Sequence, residues 1–567
     1  MNKKWMTYEK NYGNIEEIKR AFDIPEIIAR SLINRDIDTV EKVARFFNTG
    51  IENLYNPYLL KGLGKAVEGI RKAIKSKKKI CIYGDYDVDG ITSTAIMVKT
   101  LRHLGAETIY YIPNRMDEGY GLSKASIEKL KEQCVQLLVT VDCGIRANEV
   151  VDLANSFGME VIITDHHECE DILPNANCIV NPHQPGCEYP FKGLAGVGVA
   201  FKLASALLEK ENVSGLMKEL VVIAAVGTVA DVVPLVDENR ILVKNGLDGI
   251  QNTSNPGLKA LLEVCGLNNR EISSYNIAFM IAPRVNAAGR IADATLCVEL
   301  LLTDNKELAR DIAKKLDANN RERQSIENEI FGSAEMKISS SVNLNHDKVI
   351  VLDSEQWHIG VIGIVASKLV ERYHLPTLLI TREGDIGKGS ARSIPRFNLY
   401  EAMAKCSDLF EKFGGHELAA GFTIKTDKID ELRKRMNLEA ESILGKEKLM
   451  QEVLVDYKLS PKDISLNTVK QLRMLEPFGI GNPSPLFVYR GLKLLSAKAV
   501  GNDSKHLLFN VFDGVNEIRC IGFNLGNMQR LLSIGKKIDI ICNVENNIWN
   551  NIESLQLSVK DIKLAIK

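Results

Sequence analysis

Between residues 80 and 164 the chain alternates short apolar, β-branched runs with helical stretches. The runs are Ile80-Cys81-Ile82-Tyr83, Thr108 to Ile112, Val135 to Val141 and Glu160 to Thr164. None shows polar alternation, so both faces of each strand must be covered. That pattern predicts a parallel sheet with helices on both sides, an α/β domain. The stretch after the first run, ITSTAIMVKTLRHLG, reads as a helix stopped at Gly105.

The 567 residues imply about three to four domains at ~150 residues each. Residues 1–75 read as a helical segment and 76–265 hold the parallel sheet. Residues 266–342 form a linker with a long helix, expected from Asp304 to about Gly332 and capped by Asp304 with Glu307. Strand signals return at 343–450 as a second α/β domain. Residues 451–567 carry short strands such as HLLFNVFDG and EIRCIGF, which suggest a small barrel or sandwich. Lys and Arg total 72 against 73 Asp and Glu, which excludes a strongly basic nucleic-acid coat protein but not a local basic groove. The leading MNKKWMTYEKN is not a secretory signal, and the most apolar window, 220–236, is broken by Gly227, Asp231 and Pro234. Eleven cysteines without a C-x-x-C pair fit a reducing cytosol, so a soluble, cytoplasmic protein without membrane contact is expected.

Three of the predicted strands end on acids. GDYDVDG (84–90) supplies Asp85, Asp87 and Asp89; the third strand runs into Asp142; the fourth into Asp165, His166 and His167. The carboxyl ends of parallel strands open onto one crevice. Asp231, in GTVADVVPL, is a further contributor. A lone D-x-D is usually a turn or a helix cap, but this many acids and imidazoles in one crevice would resist ionising without a cation. Oxygen ligands with one or two imidazoles suit Mn²⁺ or Mg²⁺. Cys169, Cys178 and Cys187 lack the close pairing of a zinc site.

The DYDVDG and DHH elements resemble the DHH phosphoesterase superfamily. IPNRMDEGYGL (112–122), APRVNAAGRI (282–291), GKGSARS (387–393), FGGHELAAGF (413–422) and LEPFGIGNPSPLF (475–487) narrow the resemblance to the RecJ family. It implies a DHH domain, a long connecting helix, a DHHA1 domain and an OB-like β-barrel. It also implies 5′→3′ degradation of single-stranded DNA to 5′-mononucleotides with two divalent cations, Mn²⁺ or Mg²⁺. By resemblance Asp87, Asp89, Asp142, His166 and Asp231 are metal ligands, with Asp85 a ligand or a supporting acid. His167 contacts the scissile phosphate or protonates the leaving oxygen. Asp142, from the middle of the converging strands, is expected to bridge the ions, and Asp165 to orient its neighbours. One departure stands out: Tyr83 occupies a position where many superfamily members have histidine.

Arg115, Arg284, Arg290 and Arg392 lie in motifs rich in Gly, Asn and Ser. In GKGSARS, Gly387 and Gly389 permit close backbone approach, while Ser390 and Arg392 offer donors for phosphate. The resemblance implies a pocket for a terminal 5′ phosphate from Arg115, Arg284, Ser390 and Arg392, with His416 nearby and Tyr120 stacking on a base. RKAIKSKKK (71–79) reads as a solvated helix face, and Phe478, Phe487, Phe509 and Phe523 as core more readily than as base platforms. A helicase and a single-strand-binding protein are partners implied by the family, and the expected state is a monomer. Two other readings compete: a phosphodiesterase of short oligonucleotides or cyclic dinucleotides, and a non-catalytic single-strand-binding scaffold.

Overall fold

The computed structural model describes residues 3–115, 118–445, 450–549 and 552–565. They fall into two compact units. The larger comprises Trp5–Asn286, Ala294–Ala313 and Val453–Lys567; the smaller comprises Ala287–Asp293 and Lys314–Glu452 with the residues up to Lys4.

The sheet of the larger unit has the order Thr108–Tyr111, Ile80–Tyr83, Leu137–Val141, Glu160–Thr164, Cys178–Val180. Every pairing is parallel. Ile80–Tyr83 and Leu137–Val141 are buried at every residue, which explains their lack of polar alternation. The fifth strand, Cys178–Val180, is too short to show a pattern in the sequence. Strand order reverses between Ile80–Tyr83 and Leu137–Val141, and the crevice of an open sheet lies at such a switch point. Both strands end there on acids. The apolar window near residue 220 is a helix, Ser214–Ala230, buried from Leu220 to Val229. Among the described residues no helix is long and apolar enough to cross a membrane.

The carboxy-terminal strands close into a barrel. Phe487–Val500, His506–Phe512, Glu517–Gly522, Ile552–Leu564 and Lys537–Trp549 pair in that order, and the last pairs back onto the first. Phe487 and Phe509 are core residues, whereas Phe523 is exposed. Three helices from the start of the chain, Ile15–Phe22, Glu26–Ile33 and Val40–Phe47, complete this core. Ile18, Ile28, Leu32 and Phe46 belong to the same apolar cluster as Phe487, Phe509 and Leu557.

The smaller unit is built on a mixed sheet in the order Phe410–His416, Ala419–Lys425, Ile386–Arg392, Thr377–Glu383, Ile350–Ser354. GKGSARS is thus an interior strand, hydrogen-bonded on both sides. A Cβ on Gly389 would stand 2.1 Å from the Phe422 ring, so the glycine makes room for that ring. The connecting helix runs from Lys306 to Ser341, beyond the expected end near Gly332, because Ala334 and Ile338 continue its buried stripe. Its cap is Asn305, whose Oδ1 accepts from the N–H groups of Glu307 and Leu308, and not Asp304.

Candidate metal centre

The D-x-D-x-D segment turns from a strand end into the helix Val88–His103, and each acid takes a different place. Asp85 is buried just beyond the strand. Asp87 caps the helix, its Oδ1 accepting from Gly90 N–H at 3.0 Å. Asp89, in the first turn, is buried and accepts from the N–H groups of Gly196 (2.7 Å) and Val197 (2.8 Å). Those amides begin the helix Gly196–Leu208, whose positive end favours a carboxylate. Gly196 is required by close approach, since a Cβ there would lie 2.7 Å from the Asp142 side chain. Asp142 follows its strand with φ 59°, a left-handed conformation that Asp and Asn tolerate better than most residues. Asp231 ends the helix Ser214–Ala230, its N–H bonded to Gly227 O at 2.9 Å.

These segments converge on His166. Its Nε2 is 3.1 Å from Asp142 Oδ1 and 3.7 Å from both Asp89 Oδ2 and Asp231 Oδ2. Yet His166 Nε2, Asp142 Oδ1, Asp231 Oδ2 and Asp85 Oδ1 are buried atoms that make no hydrogen bond. An unpaired buried polar atom costs about 1–3 kcal/mol, more when charged. Burial, with the charge of Asp87 beside it, pushes Asp89 up to about 7 and Asp85 up to about 8. Burial and Asp89 hold Asp142 and Asp231 well above the ordinary carboxylate value. Burial pulls His166 down to about 4, which keeps it neutral, the form that binds metal. Carboxylate oxygens, one neutral imidazole and unpaired buried atoms together fit a hard divalent cation. Asp89, His166 and Asp231, and likewise Asp142, His166 and His167, can each bring ligand atoms within 4.8 Å of one another. Cys169, Cys178 and Cys187 form no such group among the described residues.

The adjacent pair Asp165 and His167 is differently built. Asp165 Oδ1 accepts from the N–H groups of His166 (2.7 Å) and His167 (3.1 Å), and Oδ2 from Ile145 N–H (3.0 Å). Its Oδ1 is also 2.7 Å from His167 Nδ1. Against the effect of burial, the His167 contact holds Asp165 below the usual value; against the same effect, Asp165 raises His167. Both oxygens of Asp165 are thus occupied by these contacts. Tyr120 completes the arrangement: its hydroxyl donates to Asp142 O at 3.2 Å and lies 3.3 Å from both His167 ring nitrogens. The residue is nevertheless 54% exposed, so one edge is anchored while the ring stays open to solvent.

Other contributors lay outside the sequence reading. The amides of Gly196 and Val197 sit in AGVGVA, whose glycines at the start of an apolar helix were the available signal. Asn286, within APRVNAAGRI, accepts from Val88 N–H at 3.2 Å and ties that motif to the D-x-D-x-D helix. Tyr83 is fully buried, donates to Gly121 O at 2.9 Å and stacks on Tyr111, so it supports the Tyr120 turn.

The expected phosphate-binding residues divide between the units. In the larger, the Arg115 guanidinium lies 5.1 Å from the Tyr86 ring centroid and Arg284 donates to Met280 O. In the smaller, Arg290 donates to Gly360 O in the first turn of the helix Ile359–Tyr373. Arg392 donates to Ser390 Oγ at 3.1 Å, and both side chains face Gly363 of that helix. His416 ends the strand next to Ala419–Lys425, which in turn pairs with Gly389 and Arg392.

Residues 79–228 match the model of the DHH family, N-terminal domain, residues 346–442 that of the DHHA1 domain, and residues 455–561 that of the RecJ OB domain. The chain is 38% identical over 564 residues to the single-stranded-DNA-specific exonuclease RecJ of Bacillus subtilis (strain 168), covering 99% of this chain and 71% of the relative. It is 34% identical to the Escherichia coli (strain K12) protein of the same name, covering 95% and 96%. A crystal structure of RecJ in complex with Mn²⁺ from Thermus thermophilus is similar at a TM-score of 0.85 and 30% identity, covering all of this chain and 80% of that one. With three domain models in order and a relative 34% identical matched over 96% of its length, the chain belongs to the RecJ family of single-stranded-DNA-specific exonucleases.

Proposed function

We propose that this protein hydrolyses single-stranded DNA from the 5′ end, releasing 5′-mononucleotides in DNA recombination and repair. The observation that carries the reading is the set of unpaired buried atoms on Asp85, Asp142, His166 and Asp231. Asp87, Asp89, Asp142, His166 and Asp231 would hold two Mn²⁺ or Mg²⁺ ions, with Asp85 behind them. Cations bound there supply positive charge against the phosphodiester oxygens and acidify water. The chain's own groups do the rest. Asp165 fixes Nδ1 of His167 and favours its protonated form, so the ring can donate to the scissile phosphate or to the departing 3′ oxygen. The Tyr120 hydroxyl limits rotation of that ring. In the smaller unit, Ser390, Arg392 and Arg290 gather donors at the start of the helix Ile359–Tyr373, which suits a phosphate of the strand terminus. A helicase and a single-strand-binding protein would supply the strand to a cytoplasmic monomer.

The test is nucleotide release from a 5′-phosphorylated single-stranded oligomer with Mn²⁺, beside a duplex and a dinucleotide. Turnover of the strand and sparing of the duplex are expected. Faster turnover of the dinucleotide would replace this reading with a short-oligonucleotide phosphodiesterase, and binding without turnover would favour the scaffold.

A further inference from the structure

Apart from the metal centre, the larger unit holds a cavity of about 440 Å³. It is lined by Phe22 and Phe47, by Arg240, Lys244, Lys470 and Arg473, and by Glu476. Four cations to one acid is a marked local excess in a chain of formal net charge -1.

Arg240 gives the cavity its direction. It is 3% exposed, and its guanidinium donates to the main-chain oxygens of Phe46, Leu475 and Met474, each at 3.0 Å. It also lies 3.7 Å from the Phe46 ring centroid. Among the described residues no carboxylate comes within ion-pair distance of it. Burial pulls it down to about 10 against the pull of Glu476. A buried cation with no anion in direct contact is costly, and an anion bound against it offsets that cost. The other cations are available. Lys470 is exposed and makes no hydrogen bond or ion pair among the described residues. Arg473 meets Glu271 at 3.1 Å and Lys244 meets Asp248 at 3.2 Å, both across exposed surface where such pairs contribute little. The apolar part of the wall is aromatic, with the rings of Phe22 and Phe47 edge to face at 5.7 Å. The volume is that of a small-molecule site.

We infer that this cavity binds one nucleotide unit, its phosphate against Arg240, Lys470 and Arg473 and its base against Phe22 and Phe47. Glu476, on the same wall, would accept from a base amino group. The nucleotide comes either as a free mononucleotide or as a member of a single strand, and the experiment separates the two. The inference does not depend on hydrolysis, because binding is read without metal.

The full-length protein in EDTA is irradiated with 5-iodo-2′-deoxyuridine 5′-monophosphate, and the adducts are mapped by mass spectrometry. Adducts on the segments holding Phe22, Phe47 or Met474 are expected. Lys470→Ala/Arg473→Ala should reduce them about tenfold or more, leaving adducts elsewhere unchanged. In parallel, binding of a 5′-phosphorylated phosphorothioate oligothymidylate is followed against salt. If the strand is the source, the double variant lowers the salt slope by up to about 0.7, since each contacted phosphate contributes ~0.7 and the cavity holds one. An unchanged slope with lost mononucleotide adducts assigns the cavity to free nucleotide. Absence of adducts on these segments, or adducts indifferent to the double variant, overturns the inference. Protection by hexaglutamate but not by dAMP also overturns it, in favour of an acidic peptide.

Discussion

Without divalent cations Asp89 should make the protein lose stability as pH rises from 5 to 8, against an opposing contribution from His166, whose lowered value makes it costly to fold while the free imidazole is protonated. In the metal-free chain, burial and the charge of Asp87 move Asp89 from the ordinary 3.8 to about 7. A carboxyl raised in this way stays protonated in the folded state while it ionises in the unfolded chain. Unfolding therefore releases a proton, and stability falls from about pH 4 to about pH 7 before levelling. At ~1.36 kcal/mol per pH unit, Asp89 alone removes roughly 2–3 kcal/mol between pH 5 and pH 8. That is a few degrees of melting temperature for a unit of this size. Asp85, Asp142 and Asp231 act in the same direction but share their charge, so their effects do not add. The assay is thermal melting in EDTA at several pH values for wild type and Asp89→Asn, repeated with Mn²⁺. Relative to the variant the wild type should lose stability as pH rises, and Mn²⁺ should raise the wild-type midpoint more at pH 8 than at pH 5, because the cation then displaces fewer protons. Parallel curves for wild type and variant in EDTA would refute the reasoning.

Asp142→Asn should abolish nucleotide release while preserving the fold, because Asn accepts the left-handed φ of 59°; Asp142→Ala should be equally inactive and about 1–2 kcal/mol less stable than the Asn variant by denaturant melting. Tyr120→Phe keeps the exposed ring and loses the hydroxyl contact to His167, so kcat should fall about threefold to tenfold with KM little changed. A rise in KM alone would instead mark the hydroxyl as a substrate contact. Gly389→Ala should destabilise the smaller unit by about 1–3 kcal/mol, since its Cβ meets the Phe422 ring at 2.1 Å, and Phe422→Leu should restore part of that loss in the double variant.

The parallel sheet was legible because strands buried on both faces leave an unbroken apolar record, as at Ile80–Tyr83 and Leu137–Val141. The acids at their ends were legible because carboxylates placed after such runs have one crevice to enter. The division of labour inside D-H-H was harder to read. Asp165 and His166 are neighbours in sequence, yet Asp165 is occupied by the amides of Ile145, His166 and His167 while His166 Nε2 makes no hydrogen bond. The two histidine amides reach Asp165 through a local turn, and the fold brings the Ile145 amide to its other oxygen. Gly389 illustrates a different limit, for the letter does not record that a phenylalanine ring lies against it. The sharing of one core by Ile18 and Phe509 was hidden too, because an amphipathic helix does not record which surface it covers.

That shared core has a consequence for biosynthesis. Phe46 emerges from the ribosome long before Phe509, its companion in the finished cluster. At translation rates of ~5–20 residues per second, the interval is on the order of half a minute to a minute and a half. Throughout it the leading helices carry an apolar face with nothing native to cover it, so nascent chains should depend on chaperone shielding of their earliest segment until the last strands are made.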